Sequence, residues 1–107
     1  MLDPKMEEAI NKQINAEWRF LARRVLDLCA EISSRGSRSV GEGSAEGRHQ
    51  LAAFIERRET AMALLAAVSE EPAAGPARHM VQLRRLVSGL ECSRSFFVPG
   101  VELGESA

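Results

Sequence analysis

Residues 14–32 read INAEWRFLARRVLDLCAEI, and their spacing decides the fold class. Ile14, Trp18, Leu21, Val25, Leu28 and Ile32 recur at intervals of 4, 3, 4, 3 and 4. Side chains three and four apart share one face of an α-helix, so this is a heptad seam meant for a helical neighbour. Phe20, Leu26 and Cys29 widen the apolar face beyond a narrow seam, which suits a helix packed against two neighbours. Upstream the stripe slips to Met6 and Ile10. Asp3 can cap the first amide groups with its carboxylate, and Pro4 suits the first helical position, where no amide hydrogen bond is lost. Glu7 and Glu8 favour the positive end of the helix dipole. The pattern predicts a first helix over residues 3–34.

Outward from this helix, residues 35–47 (RGSRSVGEGSAEG) hold four glycines and no apolar stripe, which predicts a loop. Glycine costs a helix about 1 kcal/mol per residue. The loop lacks the GxxxxGK followed by Ser or Thr that cradles phosphates, so it predicts no nucleotide site. Residues 48–71 follow as a second helix, with Leu51, Phe54, Ile55, Ala61, Met62, Leu65 and Val68 on one face and alanines that admit a close neighbour. Pro72 ends it. Pro76 opens a third helix over residues 76–95, where Met80, Leu83, Val87 and Leu90 repeat at 3, 4 and 3, and Gly89 weakens its far end. Phe96, Phe97 and Val98 are expected either to fold back on the bundle or to dock on a partner. Period-2 alternation is missing. The expected fold is therefore all-α: a three-helix antiparallel bundle, or a hairpin plus a third helix, with a long first helix. Residues 1–98 form one domain and residues 99–107 a tail.

At 107 residues the chain has room for one modest core. A net charge of −1 gives no overall field for nucleic acid or anionic lipid. No stretch reaches the ~20 apolar residues of a membrane span, and acidic residues by position 8 argue against a signal peptide. A cytoplasmic location is expected. Cys29 and Cys92 form no CxxC pair and are each expected as small buried side chains. His49 and His79 stand at predicted helix starts, outside any GxSxG or HExxH setting. The arginine pairs 23–24, 57–58 and 84–85 lie near Asp27, Glu56 and Glu59, so they predict stems laid over the core edge rather than a basic nucleic-acid face.

The opening MLDPKMEEAINKQINAE resembles the start of bacterial and archaeal ferritins in its early Leu, Lys5-Met6, Ala9, Asn11, Gln13-Ile14-Asn15 and Glu17. That resemblance implies a four-helix bundle with a di-iron site. On this chain it would take Glu17 from the first helix and Glu46 and His49 from a Glu-x-x-His, with iron oxidation or storage as the activity. The chain departs from the family after Glu17, where WRFLARRVLDLC stands, and it offers no second group of glutamates on a later helix. The segment FIERRETAMALLAAV is similar in composition to the helical hairpins of flagellar and type III export chaperones, which hold a partner's amphipathic helix.

The leading expectation is a small helical protein–protein interaction or oligomerisation module without catalytic activity and without a cofactor. Its partner is itself, as a homo-oligomer, or an amphipathic helix of another protein, met through Trp18, Leu21, Val25, Phe96 and Phe97. The alternative is a ferritin-like iron-binding ferroxidase whose site, Glu17, Glu46 and His49, is assembled within one chain or between subunits.

Overall fold

The structure is a computed structural model and describes residues 3–36 and 43–98. Three helices make up the fold: α1, Pro4–Arg35; α2, Ala45–Ser69; and α3, Gly75–Phe97. The described residues contain no strand, and the chain is an all-α bundle with a long first helix. The Asp3 carboxylate accepts from the Lys5 amide at 3.0 Å and starts α1, with Pro4 in the first turn. The Ser44 hydroxyl accepts from the Gly47 amide at 2.9 Å and starts α2 three residues earlier than the glycine-rich composition suggests. A capping hydroxyl and the acidic Glu46 in the first turn outweigh the glycine penalty there. Glu70 ends α2 just before Pro72.

The helices are not arranged in chain order. α3 packs closely against both α1 and α2, whereas α1 and α2 touch only sparsely. Glu17, Arg24 and Glu31 of α1 pair with Arg84, Glu91 and Arg94 of α3 in the same order along both helices, so α1 and α3 run parallel. Phe54 of α2 meets Phe97 at the end of α3, and Val68 near the end of α2 meets Gly75 at its start, so α2 and α3 run antiparallel. The result is a shallow trough with α3 at its base and α1 and α2 as its walls. A radius of gyration of 16.8 Å exceeds the ~13 Å of a compact domain of this size, and most of the long axis of 56 Å is the 32-residue first helix, about 48 Å long.

The core is continuous through all three helices. Val25, Leu28, Leu83 and Leu90 are fully buried, joined by Trp18, Cys29 and Ile32 of α1 and Phe54, Ala61, Leu64 and Val68 of α2. α3 runs on through Phe97, so Phe97 and its C-cap Val98 are carried into the core and close one end without a fold-back, with Phe97 edge-on to Phe96 at a centroid distance of 5.0 Å. Several side chains expected on the core face lie outside it. Phe20, Leu26, Ile55 and Met62 are exposed, because each stands beyond the margin of the face its helix turns to the core. Cys29 is buried as expected but Cys92 is exposed, since two helical residues carry it to the side opposite Leu90. Gly89, expected to weaken α3, provides a slot instead. A Cβ there would stand 2.8 Å from Arg57 Nε, so any larger residue makes that side chain shift from its path across α3. Arg57 then donates to the Gly89 carbonyl and the Ser93 hydroxyl, both at 3.0 Å, and satisfies the fully buried Ser93.

Candidate functional site

Glu17, Glu46 and His49 are not brought together within the chain. Glu17 points its carboxylate at Arg84, with both oxygens accepting at 2.6 and 2.7 Å. Glu46 accepts from Gln50 at 3.0 Å in the first turn of α2, and His49 is exposed nearby. Thirteen helical residues separate Arg84 from Phe97, and eight more separate Phe54 from Glu46. At 1.5 Å per residue the two carboxylates are therefore about 30 Å apart along the bundle. Among the described residues no three His, Cys, Asp or Glu side chains stand close enough together to hold a metal ion.

The side chains expected to meet a partner lie in or against the core. Trp18, Val25 and Phe97 are buried, and Leu21 and Phe96 are half-buried against them. Val25 has no exposed surface at all.

What α1 presents to α3 is a ladder of charges alternating in sign. Glu17, Arg24 and Glu31, each seven residues apart, face Arg84, Glu91 and Arg94. A slip of seven residues sets Glu17 against Glu91 in one direction and Arg24 against Arg84 in the other. The ladder therefore fixes register more than it adds stability, because exposed pairs contribute only about 0–1 kcal/mol each. Arg94 and Glu31 are the most sheltered pair, with side chains 18% and 22% exposed.

The unshared surface lies on the other side of the trough. Around α2, apolar residues are spread almost evenly instead of gathering on one face. α3 covers the face of Phe54, Ala61, Leu64 and Val68. A second face carries Ala52, Ile55, Met62 and Ala66, all exposed, at intervals of 3, 7 and 4, with Glu59 between Ile55 and Met62. This is a second heptad stripe without a neighbour. Adjoining its far end, where Ser69 stands seven residues beyond Met62, a cavity of about 590 Å³ opens between α1 and α2, lined by Lys12, Trp18 and Arg19 on α1, by Leu65, Val68 and Ser69 on α2, and by Pro76 of α3. Trp18 is the only tryptophan of the chain and forms part of that wall. Leu26 stands seven residues beyond Arg19, on the same side of α1, and is 46% exposed. The signal for this surface was present in the sequence as alanines flanking Ile55 and Met62, but a second stripe separates from the first only once the core face is known.

Compared with protein-family models, with curated proteins and with solved structures, the chain matches none. No described helix is long and apolar enough to cross a membrane.

Proposed function

We propose that this protein is a small non-enzymatic helical interaction module that binds another protein surface through the trough between α1 and α2. The observation that carries the reading is the second stripe of α2. α3 covers one apolar face of α2 and leaves the second line of apolar residues without a neighbour among the described residues. Ile55 and Met62 are exposed by 37% and 38%, and the exposed alanines beside them let another helix approach closely. Charged residues at the contact with α3 are occupied within the fold, as in the Glu17–Arg84 and Arg94–Glu31 pairs.

The test compares the wild type with the double variant Ile55→Glu/Met62→Glu. Sedimentation equilibrium at micromolar concentration is read together with affinity capture under identical conditions. The expected result is self-association, or a stoichiometric captured protein, in the wild type and neither in the variant, with helicity unchanged because both positions are outside the core. A wild type that stays monomeric, and captures nothing the variant does not also capture, overturns the reading.

A further inference from the structure

Deepening that reading, we propose that the occupant of the trough is an amphipathic helix with acidic side chains along one flank. Three observations converge on it. The first is the asymmetry of the two walls. The α2 wall is mainly apolar, through Leu65 and Val68 in the cavity and Ile55 and Met62 beyond it, with Glu59 as its one charge, whereas the α1 wall is basic, through Lys12 and Arg19. A helix lying between such walls must be apolar on one flank and anionic on the other.

The second observation is that these two cations are uncommitted. Arg23, Arg24, Arg78, Arg84 and Arg94 each hold a carboxylate, and Arg58 lies over the Phe54 ring at 5.5 Å. Lys12 and Arg19 both line the cavity, and neither has an ion-pair partner among the described residues. They stand seven residues apart, two turns along one side of α1, about 10 Å at 1.5 Å per residue. Carboxylates at i and i+7 of a docked helix match that distance, and a docked helix presents an i, i+7 row along one line. The neighbouring Asn15 shares the cavity wall and adds an amide able to donate to the same flank.

The third observation is extent. From Lys12 to Leu26 the α1 wall runs about 21 Å, the length of a docked helix of about four turns. Apolar side chains of the occupant fill the cavity against Trp18, Leu65 and Val68 and continue onto Met62 and Ile55. The occupant thus supplies the fourth helix to a three-helix trough.

The chain's lone tryptophan makes the site observable, since it lines the cavity and no tyrosine is present. The probe is a synthetic 18-residue amphipathic helix with leucines on one face and glutamates flanking them, free of aromatic residues. Its counterpart carries lysine at every glutamate position. The expected result is a saturable shift of Trp18 emission with the acidic peptide and none with the basic one. Lys12→Glu/Arg19→Glu should weaken the acidic peptide at least about tenfold, the summed worth of two rim ion pairs, and should admit the basic peptide. Arg85→Glu, an exposed change on α3 outside the cavity lining, should leave binding unchanged, and circular dichroism confirms that each variant is folded. Equal binding of both peptides, or an equal loss with Arg85→Glu, overturns the acidic preference. If neither peptide binds while the wild type still self-associates through Ile55 and Met62, this inference fails and the interaction reading stands. If neither peptide binds and no association is found, both fail.

Discussion

Glu17 spends its charge on Arg84, and the sequence could not disclose that, because the two lie 67 positions apart. The alternation of sign at positions 17, 24 and 31 was legible, as was the heptad that places them on one line. Which helix would answer them was not, since ion pairs follow from helix order in space. The two cysteines carry the same lesson in simpler form. Both sit in helical stretches, yet Cys29 is buried beside the Arg58 side of α2 and Cys92 faces outward. Burial pushes the Cys29 thiol above its ordinary value, and the Arg58 guanidinium pulls it back only in part. A thiol ionises by losing a proton, so the raised value means that the unfolded chain ionises first. The stability this residue lends is complete below the ordinary thiol range and is lost as pH rises through the raised value. Under native conditions at neutral pH, a thiol reagent such as iodoacetamide should therefore modify Cys92 within minutes and Cys29 only at the rate of unfolding. Intact-mass spectrometry should show one adduct, and two after denaturation. Two adducts forming at equal rates would contradict the burial of Cys29.

Element by element, existence and type were readable and faces were less so. The three helices and the stop at Pro72 follow from period, caps and breakers that act locally, while residues 37–42 of the expected loop lie outside the described residues. The start of α2 at Ala45 was signalled by Ser44 but masked by the glycines around it. α2 was the hardest to orient, because apolar residues on every side leave no single moment to follow, and its core line through Leu64 and Ala61 emerges only from contact with α3. That contact turns on Gly89. Replacing it with alanine should gain up to about 1 kcal/mol of helix propensity. The new methyl group displaces Arg57, however, and so removes its two hydrogen bonds and strands the buried Ser93 hydroxyl. Hydrogen bonds from a charged donor are worth about 1.5–3 kcal/mol. Gly89→Ala should accordingly destabilise the bundle by roughly 2 kcal/mol or more in urea unfolding, two such bonds less the gain in propensity. In an Arg57→Met background the same substitution should become neutral or stabilising, because nothing then occupies the slot. An equal effect in both backgrounds would mean that the guanidinium does not hold this joint.

At the scale of the molecule, the order α1–α3–α2 makes α3 the one helix covered from two directions. Heptad spacing is equally regular in α1 and α3, so period alone cannot name the central helix. The position is set by what α3 offers on both sides: Leu83 and Leu90 are fully buried, Glu91 and Arg94 face α1, and Gly89 and Ser93 face α2. The opposite extreme is the beginning of α1, where residues 4–13 are exposed throughout and Met6 and Ile10 are 55% and 42% open. These turns lack tertiary cover, and a helix of about ten residues is marginal without it. Local stability should follow this cover, since amides open according to the packing that must be broken to release them. Hydrogen exchange on the free protein should find the slowest amides between Leu83 and Leu90, intermediate ones along α2, and near-unprotected ones in residues 4–13. Adding a helix that occupies the trough should slow exchange from Lys12 to Leu26 and from Ile55 to Ala66 while leaving the already slow centre of α3 unchanged. Equal protection of all three helices in the free protein would require cover on α1 and α2 that a single bundle does not supply, and would point to a second copy already seated there.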